Sequence, residues 1–353
     1  EAKENHVTIV FLLFGSCSGS NSVYDRVAGA TGGASFTLSS PEEAESISEL
    51  VDFLVRSDST DLLVAEETLN SSAAVTAAAT KSYPIPVDST MSSVTFSVSG
   101  TSAMTVRRPD GAVVSAGDPG VRVVDSSGGR IVSVTAPTAG EWRLEVISGG
   151  IVGIKVSCTS SIGIVSFNFV QSDDQSEHGG VTPIEGFPLV GQTIQVQATL
   201  AGDIGTAVFE FRTPDGALIQ TLKLERGVGE DDHTFVGTIP LPGEPFRAYV
   251  VGLDNQGRVF QRTLGGVIQR QSVAVTAPQP QDLHPGAATN YAFEVTNFGA
   301  PSTFQIVAAD SQGFVQGVSP QSISLGTGET RLVQVTLRPP SSAREGSTST
   351  LTV

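Results

Sequence analysis

The feature that most constrains this chain is a continuous apolar run near its start, His6-Val7-Thr8-Ile9-Val10-Phe11-Leu12-Leu13-Phe14, closed by Gly15-Ser16-Cys17-Ser18-Gly19. Such a run suits a parallel strand that is buried on both faces and feeds a loop, and a strand of that kind cannot stand alone. Val23-Tyr24-Asp25-Arg26-Val27-Ala28 comes next with helical spacing up to a Thr31-Gly32-Gly33 stop, and then the short alternating strand Ala34-Ser35-Phe36-Thr37-Leu38. A second helix is announced by Ser40 at the N-cap, Pro41 at the first helical position and Glu42 and Glu43 in the first turn. Its apolar stripe is Ile47, Leu50, Val51, Leu54 and Val55. A β-α-β-α unit buries too little to fold by itself, so its sheet is expected to be completed by an upstream part of the same chain or by strands from another molecule. On that reading Glu1 is an internal point of a longer protein, since the sequence carries no initiator Met, leader peptide or apolar stretch of membrane-spanning length.

The rest of the chain is of another kind. Its 353 residues are enough for about two to four domains. Gly and turn residues are plentiful and only 6% of residues are aromatic, which suits a string of β-sandwiches. The net charge of −16 argues against nucleic acid or an anionic membrane as partner, because both need basic patches that displace counterions. Cys17 and Cys158 lie in different expected domains, so no disulfide framework holds the chain; they are read as two partly buried thiols, with a single cross-domain bridge as the alternative. Asn70-Ser71-Ser72 is a glycosylation sequon, and Asn70 is a candidate acceptor if the chain is secreted.

From Asp61 onward β patterns take over. Leu62-Leu63-Val64-Ala65 leads out of the last helix, and Ser93–Val98, Met104–Arg107, Ile131–Val134, Glu141–Val146 and Ile154–Ser157 alternate with period two. The polar stretch from Gln171 to Gly180 reads as a long loop or a module boundary. Strands of a second sandwich are expected at Thr193–Leu200, Ala207–Arg212, Leu218–Leu224, His233–Ile239, Phe246–Leu253 and Val259–Leu264. Pro109-Asp110-Gly111 and Pro214-Asp215-Gly216 place the same turn element in both sandwiches. Thr276-Ala277-Pro278-Gln279-Pro280-Gln281 reads as a stiff linker to a third module with strands at Thr289–Thr296, Ser302–Ala308, Ser322–Leu325, Arg331–Leu337 and Thr348–Val353. The expected fold class is mainly β: a partial α/β domain at 1–60, then antiparallel sandwiches at 61–175, 176–277 and 278–353.

Residues with chemical potential are few. Asp173, Asp174 and Glu177 form one acidic loop and Glu230, Asp231 and Asp232 another, and carboxylates on flexible loops are the ligand type calcium takes. The plainer reading of both is a solvated loop. His6, His178, His233 and His284 are scattered and show no ligand spacing. The chain contains no Gly-x-Ser-x-Gly elbow, phosphate loop or dinucleotide fingerprint. Trp142, on a period-two strand, is expected at the packing centre of the first sandwich.

The order of the opening pieces, from Phe14-Gly15-Ser16-Cys17 through Val23–Ala28, Thr31-Gly32-Gly33 and Phe36-Thr37-Leu38, resembles the closing half of a von Willebrand factor A domain. The stretch beyond them is similar to the region after that domain in hemicentins. The segments that carry this likeness are Tyr83-Pro84-Ile85-Pro86-Val87-Asp88, Ser93–Gly100, Pro137-Thr138-Ala139-Gly140-Glu141-Trp142 and Val259-Phe260-Gln261-Arg262, so that it spans residues 7–275. The third module departs from it. Without a cysteine pair, Asn290–Gly299 and Leu325–Leu337 are similar instead to disulfide-free immunoglobulin-like modules.

The resemblance implies a ligand-binding metal held by an Asp-x-Ser-x-Ser loop, which belongs to the first half of an A domain. Asp125-Ser126-Ser127-Gly128 is superficially close but lacks the final Ser and precedes a β-turn, so a turn is favoured there. The combined expectation is a non-enzymatic segment of an extracellular or cell-surface adhesion or structural protein. It would need no cofactor, calcium apart, and would make protein contacts with partners or with copies of itself in a filament or matrix. The alternatives are the stalk of a metal-dependent receptor of the A type and an accessory region of a secreted hydrolase.

Overall fold

A computed structural model describes residues 7–14, 22–43, 45, 59–68, 79–100, 102–126, 128–148, 150–173, 180–184, 186–229, 232–344 and 346–353. The chain is mainly β, and it divides into two compact units. The first consists of residues 1–183, 195–239 and 244–268, and the second of residues 184–194, 240–243 and 269–353.

The first unit opens with β1 (Phe11–Phe14), α1 (Ser22–Thr31) and β2 (Ser35–Leu38), and the two strands pair in parallel as the apolar run predicted. The second helix is described only at its start. There Ser40 Oγ accepts the Glu43 amide at 3.4 Å, as the expected N-cap does, and the Glu43 carboxylate reaches back to the amide and hydroxyl of Ser39. Its apolar stripe lies outside the described residues.

Strands β3 (Ser59–Thr68), β4 (Ala79–Val87), β5 (Met91–Ser99), β6 (Ser102–Arg107), β7 (Val121–Ser126), β8 (Gly129–Thr135), β9 (Gly140–Ser148) and β10 (Ile151–Ser160) build the first sandwich. Leu62, Leu63, Val64 and Ala65 are the buried centre of β3, and the helix expected before them lies mostly outside the described residues. Along β9, Trp142, Leu144 and Val146 face inward between exposed Glu141 and Arg143. Trp142 is buried, stacks on Phe96 with 6.0 Å between ring centroids, and donates its indole N–H to Thr138 O at 2.8 Å. It is the packing centre expected of it.

The second sandwich takes β11 (Gly163–Asp173), β12 (Gly180–Pro183), β13 (Thr193–Ala201), β14 (Ile204–Arg212), β15 (Leu218–Leu222), β16 (Glu225–Arg226), β17 (Thr234–Pro240), β18 (Arg247–Asp254) and β19 (Val259–Thr263). Gln171 to Asp173, expected in a loop or boundary, finish β11 and pair with β12; residues 174–179 lie outside the described set. The core is aromatic. Phe211 and Phe246 lie 4.2 Å apart, Phe209 and Phe235 5.1 Å, and Phe167 meets both Phe209 and Phe211.

One sheet serves both sandwiches. Its nine strands run in the order β15-β14-β18-β19-β3-β10-β5-β8-β7. The first sandwich is closed by β4-β9-β6 and the second by β12-β11-β13-β17-β16. Strand β3 is the shared member, paired along its length with β10 and through Asp61 with Thr263 of β19.

The second unit is an antiparallel sandwich of β20 (Val273–Thr276), β21 (Thr289–Asn297), β22 (Ser302–Gln305), β23 (Ala309–Asp310), β24 (Val315–Ser319), β25 (Ser322–Leu325), β26 (Thr330–Leu337) and β27 (Leu351–Thr352). Its central sheet is ordered β20-β21-β26-β24. The expected linker therefore begins inside β20, and the expected last strand shortens to two residues paired with β23. Buried Asn297 fixes the turn after β21: its amide N–H donates to Ala300 O and Leu325 O, and its Oδ1 accepts the Gly299 amide.

Candidate functional site

The α/β segment carries an apolar ledge. Among the described residues β1 has one hydrogen-bonded neighbour, β2, and none of them pairs with its other edge. Phe14 is 56% exposed, Val23 54% and Tyr24 44%, and Val27 lies one helical turn after Val23. Tyr24 lies edge-on to Phe11 of β1 at 5.1 Å, which ties the helix face to the strand face. The inner side of the segment is closed: Phe36 and Leu38 are fully buried with Ile131 of β8, and Gly128 presses on the backbone of Thr37 too closely to admit a side chain. Large exposed apolar side chains grouped beside an unpaired strand edge mark a contact surface.

The end of α1 is gripped from below. Lys155 of β10 donates to Gly32 O at 2.6 Å, Arg247 of β18 donates to Gly29 O at 3.0 Å, and the Val267 amide donates to Ala30 O at 3.2 Å. Both cations are buried. Lys155 also meets Asp61 of β3 at 3.1 Å. Burial pushes the Asp61 carboxyl up, against the opposing pull of Lys155 and Arg247.

The residues singled out as calcium candidates fare unevenly. Asp174, Glu177, Glu230 and Asp231 lie outside the described residues, as do Asn70 and the side chain of Asp173. Asp232 faces basic side chains: its carboxylate is 3.9 Å from Arg226 and 3.4 Å from His233 Nε2, and its carbonyl accepts Arg226 Nε. Asp125 lies 3.3 Å from Arg130 across the β7–β8 hairpin. Among the described residues no three His, Cys, Asp or Glu side chains converge as a metal site. A polar groove of about 660 Å³ lies beside β16 and β17, lined by Gln197, Lys223, Glu225, Arg226, Thr234 and Thr238. Arg226 is held there over the Phe235 ring at 5.8 Å.

Sequence reasoning missed Lys155, Arg247 and Arg262. Their signal was present only as a charged residue inside an otherwise apolar or alternating strand, which the period-two pattern alone assigns to solvent.

Residues 272–353 match the sequence model of the VWA7 Ig-like domain, and residues 68–161 match that of the hemicentin galactose-binding domain-like family. No curated protein matches at a significant level. Among solved structures, the chain is similar to a Bacillus licheniformis lipase in its propeptide form, with 12% identity and a TM-score of 0.22 over 58% of this chain and 43% of that one. It is similar to Escherichia coli α2-macroglobulin activated by porcine elastase, with 11% identity and a TM-score of 0.21 over 80% of this chain and 30% of that one. An I-band fragment of titin gives 12% identity and a TM-score of 0.21 over 76% of this chain and 90% of that one. The chain thus spans less than half the length of the first two. The two family matches fall on a hemicentin-type sandwich and an immunoglobulin-like sandwich, which are interaction modules and not enzymatic families.

Proposed function

We propose that this chain is a non-enzymatic segment of an extracellular adhesion or structural protein, in which the sandwiches carry the α/β ledge as a surface for protein contact. The observation that carries the reading is the exposed Phe14, Val23 and Tyr24 beside an edge of β1 that no described residue pairs with. A parallel strand pair gains stability when further strands or helices cover it, and an unpaired edge is a template for one more strand. We read β1, α1 and β2 as the closing part of a domain of the von Willebrand A type, completed by strand addition from a protein segment. When that segment belongs to a second copy, the contact is heterologous and propagates head to tail into a filament or matrix. The hemicentin-type match supports an extracellular setting. The net charge of −16 supports a protein partner over nucleic acid or an anionic membrane.

Sedimentation velocity of the purified chain over a range of concentrations, beside binding of a dye that reports exposed apolar surface, tests the reading. Association that grows with concentration and weakens in a Phe14→Asp, Tyr24→Ser variant of unchanged thermal stability is expected. A chain that stays monomeric at every concentration and binds no dye removes the ledge as a contact surface.

A further inference from the structure

The grip on the end of α1 suggests a second role for the same segment. A helix leaves its last carbonyls without partners inside the helix, and its C-terminus carries partial negative charge. Here local groups serve the first of them: the Gly33 amide and the Thr31 hydroxyl donate to Ala28 O at 2.8 and 3.0 Å. Gly32, at φ +77°, turns the chain out of the helix in the left-handed conformation glycine accepts. The Gly32 amide reaches Gly29 O at 3.3 Å, and the carbonyls of Gly29, Ala30 and Gly32 are further served by three elements of the sandwiches: Arg247 on β18, the Val267 amide after β19 and Lys155 on β10.

These three donors come from both sandwiches. Lys155 is tied to Asp61, and Asp61 sits on β3 opposite both Ser157 of β10 and Thr263 of β19. Contact is close enough to leave no slack. A Cβ on Gly32 would stand 2.9 Å from the Gly265 carbonyl carbon, and one on Gly265 would meet the Asp61 carboxylate. Lys155 is 3% exposed and Arg247 1%, so a departure of the helix end strips buried cations of an acceptor that water cannot replace while the sandwiches stay closed.

We infer that the end of α1 is a coupling point: the α/β segment and the seam between the two sandwiches open and close as one cooperative unit, joined through Lys155, Arg247 and Asp61. By linkage, whatever stabilises the segment at its ledge also tightens the seam, and whatever loosens the seam weakens the ledge. The coupling itself stands on the buried contacts and not on the ledge having a partner.

Native-state hydrogen exchange of the unmodified chain at low denaturant is the test. Amides of α1 and β2 are expected to share one opening free energy and one denaturant slope with those of β3 and β19. A Lys155→Met variant is expected to raise exchange in all four elements together by about tenfold or more, with the cores around Trp142 and Phe211 still protected. Exchange that rises in α1 and β2 alone, or different slopes for the segment and the seam in the unmodified chain, would overturn the coupling. The wild-type slopes decide the matter if Lys155→Met fails to fold.

Discussion

Arg262 and Asp88, 174 residues apart in sequence, meet at 2.7 Å with both side chains fully shielded from solvent. Arg262 leaves β19 of the second sandwich, and Asp88 comes directly after β4 of the first. The guanidinium also donates to Ser160 Oγ at 2.7 Å, Ile162 O at 2.9 Å and Gln261 O at 2.8 Å. The other carboxylate oxygen of Asp88 accepts the amide and hydroxyl of Thr90. Close by, Asp254 gathers Ser89 and the amides of Gln256 and Arg258. A buried pair whose remaining donors and acceptors are satisfied adds little net stability but specifies one arrangement, because each partner alone is a stranded charge.

Removing one partner should therefore be far worse than removing both. Arg262→Ala or Asp88→Ala is expected to destabilise the first unit by about 3–5 kcal/mol, and an Arg262→Met, Asp88→Leu double variant by clearly less than either of them. Denaturant unfolding of the four chains checks this, and additive losses would mean that the pair is not coupled.

Trp142→Phe should cost about 1–3 kcal/mol, from the unpaired Thr138 carbonyl and the space left beside Phe96. Equilibrium unfolding followed by far-ultraviolet dichroism reads the loss, since Trp142 is the fluorophore removed. A change within a few tenths of a kcal/mol would place the indole at a yielding site and not at the packing centre.

Acid should weaken the C-terminal module through Asp310. Burial works to raise this carboxyl, but the amides of Phe314, Val315 and Gln312 and the Ser349 hydroxyl outweigh it and hold it at about 2. A carboxylate held below its unfolded value of about 3.9 contributes stability that is complete above that pH and is lost as pH falls toward about 2. Thermal unfolding across that window should show the loss in the wild type and a flatter acid limb in Asp310→Asn. Identical acid limbs would exclude Asp310 as its source.

Cys158 should be inert in the folded chain. Burial pushes its thiol up to about 12, and its side chain is enclosed in the first sandwich. In a Cys17→Ser background, alkylation read by peptide mass is expected only when denaturant opens the protein, at the rate of unfolding. Rapid labelling of the native chain would show that β10 opens locally.

Much of the scaffold was legible because alternation is a local signal. Strands β5, β8, β9, β13, β14, β18, β21 and β26 were each foreshadowed by a period-two run, and their ends moved by a few residues. Strand β4 escaped because Pro84 and Pro86 argue against a strand. The fold admits them at the edge of the β4-β9-β6 sheet, where Tyr83, Ile85 and Val87 face the core and the two prolines face outward. Strand β20 was hidden by its nearness to the Pro-rich stretch.

The ledge was half legible: the apolar run forecast a parallel strand lacking neighbours, but not which of its faces the β7–β8 hairpin covers. The sequence by itself determined the elements and the demand for burial, through periodicity, caps and turn residues that act over a few positions. Only the tertiary structure decided that one sheet serves two sandwiches, and that Lys155, Arg247, Arg262 and Asp88 are buried rather than solvated. A charge enters a core only when acceptors and counter-charges converge on it from several strands, and for Arg262 and Lys155 those partners lie far away in sequence, where no local pattern reaches.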